Sequence, residues 1–211
     1  AIGFGALNQQ NFATGTDCFN VAVGSKAGES VTTGTQNTLV GGLAGDALTT
    51  GGSNVALGTN SLASDTLGSR SIAIGQGALF TQNFTTATDN YNVAVGYEAG
   101  VSVTTGQNNT LIGGLAGDAL TTGDQNVAVG TGALSTHDVG KFSTAIGYAA
   151  LNAQNFATAT TAYNVAVGDG AGLAITTGQL NTLVGGLTGD AMTVALSNTA
   201  IGFQALTSEV A

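Results

Sequence analysis

One short pattern recurs along the whole chain: a polar residue, three apolar or β-branched residues, and a glycine. NVAVG (20–24), NTLVG (37–41), NVALG (54–58) and SIAIG (71–75) are successive copies. The closing glycine serves as a ruler, falling at Gly3, Gly24, Gly41, Gly58, Gly75, Gly96, Gly113, Gly130, Gly147, Gly168, Gly185 and Gly202. The intervals run 21, 17, 17, 17 and then repeat, so four rungs make a 72-residue unit and the chain holds almost three units. Short β-branched runs bounded by Asn and Gly are a strand signature. Nothing shows helical spacing, and the glycine content weakens any helix. A 17-residue period is too short for helical repeats and suits one coil of a β-solenoid with two short strands and two turns.

The columns support stacking. The residue before the ruler glycine is Ile, Val or Leu in every rung, the residue two before it is Ala or Leu, and Asn stands four before it in nine of eleven rungs. Segments such as SVTT (30–33), ALTT (47–50) and AITT (174–177) are expected to carry the second strand, with Gly34, Gly51 and Gly178 at the corner that follows. Coils stacked about 4.8 Å apart give a rod roughly 50 Å long, with Asn columns able to form ladders of amide hydrogen bonds. The expected fold is all-β: one parallel β-roll domain over 1–211, with super-repeats at 3–74, 75–146 and 147–211.

Side chains alternate across a strand, and here both faces are apolar. A thin coil buries only one of them within itself. The Ile/Val column is expected inside. The Ala/Leu column, namely Ala22, Leu39, Ala56, Ala73, Ala94, Leu111, Ala128, Ala145, Ala166, Leu183 and Ala200, is expected to form a chain–chain seam, because a parallel sheet apolar on both faces is covered on both.

NVAVGSKAG, NTLVGGLAG, NVALGTNSL, SIAIGQGAL and NTAIGFQAL resemble the repeats of YadA-like heads in trimeric autotransporter adhesins, and equally the NTAVG-type repeats of bacteriophage tail fibres. The resemblance covers the whole chain. It implies a left-handed parallel β-roll, three chains side by side, and a role in attachment outside the cell or on a virion. The rungs of 17 and 21 residues exceed the roughly 14 usual in adhesin heads, which favours the fibre-type variants. The family motif is structural, so no binding residues are carried over.

Charge narrows the partners. Three Lys/Arg against twelve Asp/Glu, a net −9, argue against nucleic acid and anionic membrane surfaces. No apolar run is long enough to span a membrane. The single cysteine, Cys18, rules out an intrachain disulfide framework and reads as a small filler. The abrupt start in AIGFGAL and the absence of a polar cap suggest a piece of a longer fibrous protein.

The recurrent GGLAGD has Asp46 where a phosphate-binding loop needs Lys, and no helix follows it. Asp46, Asp118 and Asp190 lie four rungs apart, roughly 19 Å, too far to share a metal, and read as solvated corners. The only histidine, His137, lies near Ser135 and Asp138 in sequence, but a triad is defined by geometry, and a solvent-facing corner is expected. No catalytic residue, metal site or cofactor is expected, and the chain does not read as an enzyme. The long rungs carry four extra residues and paired aromatics: Phe12 with Phe19, Phe84 with Tyr91, and Phe156 with Tyr163. Phe12, Phe84, Phe156, Tyr91 and Tyr163 are candidate surface-binding residues for a host protein or glycan, unless the aromatics fold back over the coil. Thr32, Thr49, Thr66, Thr104, Thr121, Thr176 and Thr193 raise an alternative, an ice-binding threonine ladder, which the long rungs interrupt.

Overall fold

The computed structural model describes residues 1–136 and 139–207. Eleven three-residue strands stack in one parallel sheet. They are β1 (Val21–Val23), β2 (Thr38–Val40), β3 (Val55–Leu57), β5 (Ile72–Ile74), β7 (Val93–Val95), β8 (Thr110–Ile112), β9 (Val127–Val129), β10 (Thr144–Ile146), β11 (Val165–Val167), β12 (Thr182–Val184) and β13 (Thr199–Ile201). Two shorter strands, β4 (Gly68–Ser69) and β6 (Thr88–Asp89), pair separately. A lone parallel bridge from Ile2 to Val23 adds the first rung. No helix occurs among the described residues. The register is that of the ruler: Ala22 stacks on Leu39, Leu39 on Ala56, and Ala56 on Ala73. The all-β solenoid read from the repeat is therefore the fold.

The segments expected to be second strands stack without forming a continuous sheet. Thr32 N–H donates to the Thr49 carbonyl at 2.9 Å, and Thr49 N–H to that of Thr66 at 2.9 Å. The glycine that follows turns the corner too soon for an extended ladder to develop. The threonine hydroxyls reinforce the stack, Thr49 Oγ1 donating to the Thr66 carbonyl and Thr176 Oγ1 to that of Thr193.

The assignment of faces has to be reversed. Ala22, Leu39, Ala56, Ala73, Ala94, Leu111, Ala128, Ala145, Ala166, Leu183 and Ala200 line the interior of the single coil and are no more than 6 % exposed. They cannot form a seam between chains. The flanking residues placed inside by the sequence reading point outward, with Val21 49 %, Leu57 43 % and Ile112 38 % exposed. The reason is steric. The coil is narrow, and the residue two before each ruler glycine packs against the residue four after it. Leu39 is followed by Gly45, Leu111 by Gly117 and Leu183 by Gly189, whereas Ala56 is followed by Leu62 and Ala128 by Leu134. A Cβ on Gly45 would stand 2.8 Å from Leu39 Cδ2, and one on Gly117 2.8 Å from Leu111 Cδ2. The third glycine of GGLAGD thus makes room for a leucine. Interiors packed this closely admit no more than one large side chain at this facing pair of positions.

Two further columns fix the rungs. Each ruler glycine abuts the next one's carbonyl: a Cβ on Gly113 would meet the Gly130 carbonyl oxygen at 2.6 Å, at a φ of +134°. The buried asparagines four before the ruler glycine bond both to their own coil and to the next. Asn37 Nδ2 donates to the Gly51 carbonyl at 3.0 Å, and its Oδ1 accepts from Asn54 N–H at 3.0 Å. The ladder is therefore mainly side chain to backbone, which satisfies corner groups that burial would otherwise leave unpaired.

Candidate functional site

The outer face of the sheet is uncovered along its length. Each strand presents its first and third residues outward, Val21 and Val23, Thr38 and Val40, Ile72 and Ile74, and so on up the rod. Strands rising about 3.3 Å per residue, stacked about 4.8 Å apart, make a stripe roughly 50 Å long and ~10 Å wide. That is on the order of 500 Å², comparable to the largest patch on a typical monomer, with Thr38, Thr110, Thr144, Thr182 and Thr199 among its otherwise apolar side chains. It is flat, regular and free of charged side chains.

The long rungs divide their aromatics between two fates. Phe84 and Phe156 fold back over the coil and are each 4 % exposed, and Phe12 is half-buried. Phe84 and Phe156 are packing residues, which removes them as surface binders. Tyr91 and Tyr163 remain about half exposed. The Arg70 guanidinium lies 5.7 Å from the Tyr91 ring centre and pairs with Asp89 at 2.9 Å. Tyr163 stacks on Phe142 with ring centres 5.2 Å apart. Both tyrosines are thus already engaged by neighbours from the adjoining rung.

Beneath the second long rung lies a polar cluster that the sequence reading missed. Asp65 is fully buried; its Oδ1 accepts from Gly68 N–H at 3.0 Å and Phe84 N–H at 3.1 Å, and its Oδ2 from Gln82 Nε2 at 2.7 Å. Gln82 Nε2 also donates to Ser71 Oγ at 3.0 Å, and its Oε1 accepts from Asn92 Nδ2 at 2.8 Å. Burial pushes the Asp65 carboxyl up, against the opposing pull of the hydrogen bonds from Gln82, Phe84 and Gly68. The third long rung repeats the design: Gln154 Nε2 donates to Ser143 Oγ and its Oε1 accepts from Asn164 Nδ2, both at 2.9 Å. Ser71 and Ser143 are the two positions where Asn is missing from its column, so the glutamine amide replaces the absent asparagine. The signal was visible. Seven residues after the ruler glycine the 17-residue rungs carry Val31, Leu48, Val103 and Leu120, but Asp65 precedes one long rung and Gln82 lies within it. His137 takes the matching position before the third long rung. His137 and Asp138, with the solvent-facing corner expected for them, lie outside the described residues.

The recurrent aspartates are not freely solvated corners. Asp46 and Asp118 are half-buried, and Oδ1 of each is buried without a hydrogen-bond partner. Burial pushes both carboxyls up, with Glu29 adding to the effect at Asp46 and Glu98 at Asp118. Asp190 accepts a hydrogen bond from Thr207. In the threonine ladder the hydroxyls of Thr32, Thr49, Thr66, Thr104 and Thr176 donate to carbonyls of the next rung. Among the described residues no three of His, Cys, Asp and Glu converge on one point. No protein-family model, no curated protein and no solved structure gives a significant match to the chain.

Proposed function

We propose that the chain is a structural repeat segment of a trimeric extracellular fibre, a surface adhesin or a phage tail fibre, which serves attachment to a host or surface. The observation that carries this reading is the outer sheet face. A long, regular stripe of Val, Ile, Leu and Thr that carries no charge and repeats at every rung is suited to close contact with another regular surface. A parallel sheet apolar on both faces is normally covered on both. Its occupant on this reading is a second and third copy of the same chain, because the stripe repeats with the period of the coil and identical columns meet level by level under symmetry. The resemblance to YadA-like and tail-fibre repeats supports the same arrangement, with a left-handed roll and a location at a cell surface or virion. The rod is then a spacer and load-bearing element without an enzymatic step. The ice-binding alternative draws no support from the threonine ladder, whose hydroxyls are spent within the coil.

Two neighbouring residues test the proposal. Val129 faces outward and Ala128 inward. Val129→Arg should leave the β-rich circular dichroism unchanged and turn a trimer into monomers in light scattering, since three buried, unpaired cations would meet at one level. Ala128→Arg should abolish folding instead. A monomeric parent, or a Val129→Arg variant that remains trimeric with unchanged melting, would refute the seam.

A further inference from the structure

A groove of about 280 Å³ opens on the flank of the rod, lined by Asn60, Gln76, Gly77, Phe80, Glu98 and Val101. We infer that this groove is a binding site for one neutral pyranose, a hexose or N-acetylhexosamine of a host glycan. The inference deepens the attachment reading by naming a receptor class, and it rests on that reading only for the multivalency that a fibre would add.

The groove arises from a gap in a column. The second residue after each ruler glycine projects from the corner, and at this level the stack runs Asn60, Gly77, Glu98. Gly77 N–H donates to the Thr59 carbonyl and Glu98 N–H to that of Gln76, which holds the three in succession. Two rungs separate Asn60 from Glu98, about 9.6 Å, with only backbone between them. That span accommodates a single sugar ring with its hydroxyls. The same column has glycine at Gly5, Gly132 and Gly170, each beside a different set of side chains. The Lys26–Glu29 ion pair at 3.1 Å lies beside Gly5. Asn152 Nδ2 reaches across to the Gly132 carbonyl at 3.1 Å and to Ser135 Oγ. Leu187 Cδ2 stands 2.9 Å from where a Cβ on Gly170 would be. At Gly77 only the aliphatic stem of Glu98 approaches, its Cγ 3.2 Å from the Cβ position.

The lining has the chemistry of sugar recognition. Glu98 accepts only, whereas Asn60 and Gln76 each offer an acceptor and two donors, so vicinal hydroxyls find partners of both kinds. Phe80, 38 % exposed, presents a ring to the C–H face of a pyranose, and Val101 continues the apolar wall. Tyr97 stands next to Glu98, and the nearby carboxylate, through hydrogen bonding and its charge, holds the tyrosine hydroxyl above its ordinary range. Charge selects against acidic sugars. Glu98 lines the groove, Asp118 lies near enough to feel its charge, and the chain carries a net −9. None of the lining residues belongs to a strand, so sealing the sheet faces of three chains does not consume them.

The test is saturable binding of methyl glycosides of glucose, galactose, N-acetylglucosamine and N-acetylgalactosamine to the whole chain, followed by ligand-observed NMR, with sialyllactose and a lysine-rich peptide as comparators. At least one neutral glycoside should bind. Its affinity should fall at least about tenfold in Phe80→Ala and in Glu98→Gln, as loss of a charge-assisted hydrogen bond implies. Val129→Arg should bind it with unchanged affinity per chain even where that variant no longer trimerises, which separates failure of the seam from failure of the groove. No saturable binding of any of the four, binding that persists in both groove variants, or preference for sialyllactose or the peptide would overturn the assignment.

Discussion

Gly113 and Gly114 are adjacent in sequence and under opposite constraints. A Cβ at Gly113 would stand 2.6 Å from the Gly130 carbonyl in a backbone conformation that L residues rarely adopt, whereas one at Gly114 would meet nothing within 4 Å. Gly113→Ala should therefore cost at least ~2 kcal/mol in denaturant unfolding, and Gly114→Ala should lie within about 0.5 kcal/mol of the parent. Equal effects would show that the ruler glycine is not a contact point between rungs. This constraint was legible in the sequence, because a residue that never varies at a fixed period must meet its own copy. The inward face was not legible from alternation alone, because both columns on the strand are apolar and alternation gives only their opposition. The deciding signal was compensation within the chain. Leu at Leu39, Leu111 and Leu183 comes with Gly45, Gly117 and Gly189, which says that those two columns touch.

At the scale of the element, the second and third long rungs are insertions that the coil absorbs by exchanging parts. The loop pushes a phenylalanine over the coil, and a glutamine replaces an apolar interior residue to take up the hydrogen bonds of the missing asparagine. The arrangement is directional: Asn92 donates to Gln82, and Gln82 donates to Asp65. Gln82→Leu should cost about 3 kcal/mol or more, because it removes one of the donors to a buried carboxylate and leaves the Asn92 amide one acceptor short. Adding Asp65→Leu, which restores the apolar pairing of ordinary rungs, should recover a substantial part of that loss in a double-mutant cycle measured by thermal unfolding. Additive losses would mean that the two side chains are not coupled. Sequence reading found the long rungs and their aromatics but not this exchange, since a single Asp or Gln in a polar-rich chain stands out only against the column it interrupts.

For the whole molecule, stability is a sum over rungs and their interfaces. The array is nevertheless not freely divisible into 17-residue pieces. Removing residues 113–129 would splice Ile112 to Gly130 and set Leu111 against Leu134, two large side chains at facing positions that hold only one elsewhere. Removing residues 75–146, a full 72-residue unit, sets Ala73 against Leu151 and Asp65 beneath Gln154, pairings of the kind already in use. The shorter product should melt cooperatively with unchanged β-type circular dichroism, and the longer product of the one-rung deletion should melt at lower temperature. The reverse order would show that the 72-residue period carries no packing information. The same packing explains why the four-rung phrase is repeated rather than the single rung.

The direction of the inter-rung hydrogen bonds has a mechanical consequence. Ile2 N–H to the Ala22 carbonyl and Val21 N–H to the Asn37 carbonyl, each 2.8 Å, join one coil to the next and so run along the rod. Tension applied to its two ends pulls these bonds open lengthwise, starting at a terminal coil, instead of shearing a whole sheet at once. Each coil that detaches gives up about 5 Å of rod and frees 17 residues of chain, roughly 55 Å when drawn taut. A tether made of such coils lengthens in many small steps under load, dissipating a jolt before it reaches whatever the far end holds.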